Sequence, residues 1–383
     1  MKLNNNHKAF LALLRAGLWE QEAQLSAYGK IDLKEVYKIA QEQAVLGLIA
    51  AGLEHVTDVR LSKDIILQFV GEALQLEQRN TAMNYFIGVI VEKMRNANIN
   101  TFLLKGQGLA QCYERPMWRT CGDADFLLSA DNYNRALDYL RPLATRIEDE
   151  FAPTKHIALV IDPWEVELHG SLRGGLWRNL EKELDNVQEE VINKDAIRSW
   201  VNNGIQVCMP RVEEDSFYVF SHILQHFFQE GVGLRQVCDW CRLLWSYRGD
   251  INIELLQTRI RKARIMTEWK AFAALAVDKL GMPAEAIPMY SPSRIWSSKA
   301  EKILSFIIES GNFGHKRDYS YYDKYPYVIY KTISFWRHTK DMFRYFSVFP
   351  VDSLRVMWRK IIVGIDVVIE ERICVLQKRT HVA

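Results

Sequence analysis

No stretch of this sequence approaches the ~18 consecutive apolar residues of a membrane span, and the most apolar late segment, 361–369, is interrupted by Asp366. The N-terminal apolar segment 10–14 is broken by Arg15 with no small-residue cleavage site after it, so the expectation is a cytoplasmic protein with no membrane partner. Cysteine is scarce, at six residues, and without an export signal these read as reduced thiols. Cys238 and Cys241 have CxxC spacing, but no second close pair completes a zinc site, which leaves two buried thiols on one helical turn. Charge of one sign is lacking too: 49 Lys+Arg against 47 Asp+Glu give a net +2, which excludes a broad field that would gather nucleic acid over the whole surface. Internal repeats and low-complexity tracts are absent, which excludes a solenoid.

Proline is missing from 1–115, where apolar residues recur at helical spacing (Leu11, Leu14, Leu18; Ile65, Ile66, Phe69, Ala73, Leu76). Ser62 and Asp64 supply N-cap chemistry for a long helix reaching toward Asn98. The pattern then changes. Short β-prone runs occupy 99–104, 124–128, 156–161, 165–168 and 204–209, with a helical stretch at 133–140. Beyond Pro210 the periodicity is helical again, over 212–228, 234–247, 253–264 and 267–280. The expected fold class is α+β, a small mixed-sheet core flanked by helical regions at both ends. The expected boundaries are 1–97 for the N-terminal helices, 98–210 for the core, 211–290 for helices packed on it, and 291–383 for a basic, aromatic-rich helical region.

That last region carries 16 Lys+Arg and 9 Asp+Glu, so the near-neutral total averages unlike parts. Its aromatics include Tyr319, Tyr321, Tyr322, Tyr325, Tyr327, Tyr330, Phe335 and Trp336. The favoured expectation is a helical region whose aromatics fill its own core; the alternative is stacking on single-stranded RNA.

The chemistry concentrates elsewhere. Asp123 and Asp125 lie two apart at the start of a β-prone run and so share one strand face. Paired carboxylates repel unless a cation lies between them, and magnesium suits oxygen ligands and substrate phosphates. The spacing alone is weak: seven acid-x-acid pairs occur in the chain, close to the roughly six that chance predicts, so context decides. Here Gly122 precedes the pair, Phe126, Leu127 and Leu128 follow it, and an upstream strand ends in Lys105 and Gly106. The turn at Gly106 and Gln107 is expected to offer backbone N–H groups to phosphate. Downstream, Glu165, Glu167 and His169 alternate with Val166 and Leu168, so one strand face is acidic and a neighbouring strand could bring Glu167 to the pair. Two metals about 3.5–4 Å apart on such acids would serve phosphoryl displacement. Lys105 and Arg119 are candidates for triphosphate contact, although either can simply pair with an acid. His222 and His226 lie four apart on one helical face, but no Glu follows His222 to complete a zinc motif. Arg235 and Asp239, also four apart, read plainly as an intrahelical ion pair.

Leu104-Lys105-Gly106, Arg119, Gly122-Asp123-Ala124-Asp125, Glu167-Leu168-His169, His226, Gly233-Leu234-Arg235 and Asp239 together resemble the uncharacterised nucleotidyltransferase family of bacteria, within the DNA polymerase beta-like nucleotidyltransferase superfamily, over roughly 95–245. The resemblance implies a small mixed sheet, two Mg2+ ions (or Mn2+), an NTP donor such as ATP, and transfer of a nucleoside monophosphate with release of pyrophosphate. It makes Gly106 the phosphate-loop glycine, Asp123 and Asp125 the metal pair, and Glu167 the third acid. Lys105, Gln107 and Arg119 fall on the nucleotide side, and His169, His226, Arg235 and Asp239 on the cleft wall. Gln107 stands where the wider superfamily usually has Gly or Ser. The acceptor stays open among a small molecule, a protein and RNA. Two alternatives are carried forward: an inactive module that binds nucleotide or protein on the same fold, and an RNA-modifying transferase.

Overall fold

A computed structural model describes residues 3–151, 154–314 and 327–359. The chain forms two compact units, residues 1–175 with 179–316, and residues 176–178 with 317–383.

The first unit opens with helices α1 (Asn5–Trp19), α2 (Leu33–Glu42), α3 (Leu46–Glu54) and the long α4 (Lys63–Asn96). At 1.5 Å per residue, α4 is about 50 Å long. Ser62 occupies its N-cap but makes no side-chain cap bond. A five-stranded mixed sheet follows, in the order β1 (Phe102–Leu104), β2 (Asp123–Leu127), β5 (Trp164–His169), β4 (His156–Ile161), β3 (Arg146–Ile147). Helices α5 (Gly106–Ala110) and α6 (Ala130–Leu140) flank β2 in sequence. β2 and β5 are parallel, and the other neighbours are antiparallel.

One face of this sheet is apolar. Ala124, Phe126, Ile157, Leu159, Val166 and Leu168 join Met83, Ile87, Ile90 and Met94 of α4 and Tyr133, Ala136 and Leu140 of α6 in one buried cluster. Because side chains alternate along a strand, burying these residues turns Asp123, Asp125, Glu165, Glu167 and His169 to the opposite face.

After α7 (Arg178–Asn193), β6 (Ile197–Asn202) and β7 (Ile205–Pro210) form a separate hairpin. The β-prone run at 204–209 is therefore half of a pair. The turn residues Asn203 and Gly204 have φ of 49° and 82°, the positive values that Asn-Gly supplies at a tight hairpin. Helices α8 (Val212–Gln229), α9 (Leu234–Ser246), α10 (Ile253–Ala263), α11 (Met266–Asp278) and α12 (Arg294–Ser310) complete the first unit. In the second unit, α13 (Tyr327–Phe346) precedes a helix at 350–359. Trp336 on α13 is exposed, whereas Tyr319, Tyr321, Tyr322 and Tyr325 and the segment 361–369 lie outside the described residues. Among the described residues no helix is long and apolar enough to cross a membrane.

One polar side chain ties α4 to the loop below the sheet. Asn80 is fully buried; its Nδ2 donates to the Met117 and Arg119 carbonyls at 2.7 and 2.8 Å, and its Oδ1 accepts from Gln107 Nε2 at 2.7 Å. Asn80→Ala removes this partner from both carbonyls and leaves Gln107 Nε2 only its long contact with Met83 Sδ. Its unfolding free energy is expected to fall by about 2–4 kcal/mol, read as a lower urea midpoint at unchanged m-value; an unshifted midpoint would refute the tie.

Candidate active site

The site lies on the polar face of the sheet, and strand register builds it. Parallel pairing sets Asp123 opposite Glu165 and Asp125 opposite Glu167. Ligand oxygens of Asp123, Asp125 and Glu167 all lie within 4.8 Å of one another. The third acid thus arrives beside the pair through β5, as the alternation of 164–169 had suggested. β1 supplies the next element. Leu104 pairs with Asp125, and the chain then turns through Lys105 and Gly106, both at positive φ (48° and 45°). A side chain at Gly106 would meet Cys121 Sγ at 3.4 Å and the Asp123 carbonyl at 3.5 Å. Glycine relieves the backbone there, and Lys105, which has a Cβ, carries the strain.

Lys105 is the cation of the site. Its Nζ lies 3.0 Å from Asp125 Oδ1 and 3.2 Å from His222 Nε2. Burial opposes the ammonium, but Asp125, Tyr218, Glu167 and Asp123 outweigh it and hold its pKa above the usual lysine value. An ammonium only donates, so His222 Nε2 accepts. Burial first, then the charge of Lys105, keep the His222 imidazole well below its ordinary pKa and therefore neutral. His226, one turn later on α8, contacts His222 Nε2 through its own Nε2 at 3.1 Å. His222 thus faces the Lys105 ammonium, and His226 packs against His222.

Charge is unevenly settled among the acids. Burial, then the neighbouring Asp125, raise the Asp123 carboxyl to about 6. Glu165 is raised by burial and by Glu167. Burial also works against the Glu167 charge, but the adjoining His156 and His169 rings, with Lys105, hold its carboxyl below the usual range. His169 Nε2 lies 2.9 Å from Asp125 Oδ1; burial opposes its proton, and Asp125 and Glu167 together raise its pKa.

Other expected contacts fall differently. Gln107 is buried, and its amide bonds Asn80 of α4 rather than lying free at the turn. Arg119 is buried and donates through Nε and Nη2 to both oxygens of Asp239, at 2.7 Å each. Asp239 also accepts from Tyr113. The plain intrahelical pairing of Arg235 with Asp239 is thereby replaced by a long-range pair with Arg119, because α9 packs its Asp239 face against the loop before β2. Arg235 instead donates to the Thr120 carbonyl at 2.9 Å and stacks 5.8 Å from the Phe313 ring, and its buried Nε has no hydrogen-bond partner. Its positive charge reaches Asp123. Cys238 and Cys241 are buried free thiols on α9, held protonated by burial. His156 was not singled out in the sequence, yet its Nε2 stands 3.1 Å from Glu167 Oε2. A signal existed: Asp162 and Pro163 form a two-residue turn between β4 and β5, and counting outward from it sets His156 opposite His169.

A family model described as uncharacterised nucleotidyltransferase matches residues 29–281, about two-thirds of the chain. No curated protein matches the sequence. The chain is similar to a solved structure described as an antigenic nucleotidyltransferase-like protein from Paracoccidioides brasiliensis, at 14% identity and a TM-score of 0.33, over 55% of this chain and 94% of that one.

Two measurements check this electrostatic picture. Asp239→Asn leaves a buried guanidinium without its counter-charge and is expected to destabilise by about 3–5 kcal/mol; in chemical denaturation, a loss below ~1 kcal/mol would contradict the pairing. Asp123 holds its proton up to about pH 6, whereas its ordinary pKa is 3.8. Stability from this group therefore falls as pH rises from 3.8 to 6, and the full cost stands above pH 6. Without divalent ions, Asp123→Asn is expected to stabilise the protein above pH 6 by about 1–3 kcal/mol. The gain fades toward pH 4 in thermal scans; a pH-independent gain would contradict the raised carboxyl.

Proposed function

Because the chain belongs to the uncharacterised nucleotidyltransferase family, we propose that it transfers a nucleoside monophosphate from an NTP to an acceptor and releases pyrophosphate, with Mg2+ held by Asp123, Asp125 and Glu167. The observation that carries this reading is the convergence of those three carboxylates within 4.8 Å beside the Gly106 turn. Their all-oxygen donor set fits a hard divalent ion, and a cation there would ease both the burial and the neighbouring Asp125 charge that raise the Asp123 carboxyl. When bound, such ions offset the charge of a triphosphate and stabilise the leaving pyrophosphate.

The remaining work falls to the protein. Asp125 is oriented by His169 and Lys105, each through its Oδ1. Glu167, with its proton affinity lowered, is suited to be a ligand more than a base. Lys105 gives the site a movable ammonium on a flexible stem, able to leave Asp125 for phosphate. For the triphosphate clamp, Arg235 is a better candidate than Arg119, since Arg119 is fully engaged by Asp239 whereas Arg235 keeps an unpaired Nε. The acceptor class, whether small molecule, protein or RNA, is not distinguished by these groups.

One observation favours a second reading, a non-catalytic nucleotide-binding module: the Lys105 ammonium already neutralises Asp125 from within the chain. Titration with ATP, GTP, CTP and UTP plus Mg2+, coupled to pyrophosphate detection, separates the two. Transfer predicts binding of at least one nucleotide, pyrophosphate release, and a loss of about 100-fold or more in kcat/KM for Asp125→Asn. Arg235→Ala is expected to raise KM with little effect on fold. Binding without pyrophosphate release supports the module, and silence for all four nucleotides overturns both.

A further inference from the structure

The register that brings Glu167 to the aspartates also brings it to two imidazoles. His156 opens β4 and His169 closes β5, and the antiparallel pairing sets them directly opposite each other. Glu167 lies two residues before His169 on the same face. The rings stack with centroids 4.7 Å apart and planes 30° apart, so both edges aim the same way. His156 Nε2 is 3.1 Å and His169 Nε2 3.3 Å from Glu167 Oε2. All three donor atoms lie within 4.8 Å of one another. The His156 contact is not a hydrogen bond in geometry: that buried Nε2 has no hydrogen-bond partner. A buried ring nitrogen beside a carboxylate but outside hydrogen-bond geometry is a donor atom that the fold satisfies only electrostatically.

This donor set differs in kind from the aspartate cluster. Three carboxylates favour magnesium, whereas two imidazoles and one carboxylate favour a borderline first-row divalent ion and leave further positions open. We propose that His156, Glu167 and His169 form a second, separately selective metal site for a borderline transition-metal dication such as Zn2+, sharing Glu167 with the aspartate cluster. The proposal deepens the reading of the acidic site and rests on it only for the shared Glu167.

Sharing has a consequence for Asp125. Its Oδ1 holds both His169 Nε2 and Lys105 Nζ. An ion that engages His169 takes one of these two partners away, so occupancy of the imidazole site makes Asp125 freer to serve the neighbouring cluster. The two sites are then linked through one carboxylate and one imidazole, Glu167 and His169, two residues apart on β5.

The test uses metal-stripped full-length protein with Co2+ as probe, in the presence of millimolar Mg2+ and no nucleotide. The expected result is one equivalent of retained Co2+ with a visible absorption band. His156→Gln and His169→Gln are each expected to weaken Co2+ binding by about tenfold or more; His156 is partly exposed, so its variant is not expected to unfold. His226→Gln, outside the set, should bind Co2+ as wild type does. Asp123→Asn should keep the Co2+ band while losing Mg2+ binding, which separates the two sites. Full displacement of Co2+ by Mg2+, or undiminished Co2+ affinity in both His156→Gln and His169→Gln, overturns the proposal. Set beside the separate nucleotide assay with Mg2+, wild type that holds Co2+ here but releases no pyrophosphate there supports this site and counts against the transfer reading, and pyrophosphate release there with no Co2+ site here does the reverse.

Discussion

The parallel pairing of β2 with β5 is the constraint on which the rest of the molecule turns. Sliding either strand by one residue would put Phe126 and Leu168 on the solvent-facing side and drive Asp125 and Glu167 into the cluster formed with α4 and α6. The apolar face therefore locks the register, and the register assembles the acids. Hydrophobic burial fixes the position of charges it never touches. The helices that look remote from the chemistry, α4 above all, are the anvil against which the acidic face is held in place.

Holding four carboxylates on one face has an electrostatic cost, and the molecule meets it unevenly. Lys105 compensates Asp125, and His156 and His169 compensate Glu167, whereas burial and Asp125 outweigh the help that Lys105 and Arg235 give Asp123. Asp123 is thus an acid whose charge the chain's own groups do not fully offset. Proximity of like charges that the fold itself forces, and leaves partly unmet, is the strongest physical argument for an external cation. Stability alone would have been better served by replacing Asp123.

Much of this was legible in the sequence because it follows from local periodicity. Alternation over 164–169 set Glu165, Glu167 and His169 on one face, and the Asp123/Asp125 spacing did the same on β2. What local pattern does not encode is which distant element a side chain will meet. Arg119 was readable as a phosphate ligand and Asp239 as a helical partner of Arg235, yet the packing of α9 joins Arg119 to Asp239 across 120 residues. Gln107 likewise found its partner on α4. Strand β6 and the placing of His156 differ in kind, since their turns, Asn203-Gly204 and Asp162-Pro163, stand in the sequence. A β-prone run marks a single strand, whereas a two-residue turn fixes a pair, and the pair fixes which side chains face each other.

The near-neutral total charge conceals two opposite local fields, and the difference in their construction matters. Over 291–383 Lys and Arg outnumber Asp and Glu by 16 to 9, an excess spread thinly along some ninety residues of sequence. The acids of the sheet are gathered into a part-buried cluster where screening is weak, so the small count there exerts the larger force per charge. Within that cluster Glu167 occupies the central position, reached by Asp125 across one strand boundary and by His156 across the other. A carboxylate has two oxygens and can face two neighbours at once. Any cation drawn to either side must therefore negotiate for the same residue, which makes the site's two halves one electrostatic unit rather than two adjacent ones.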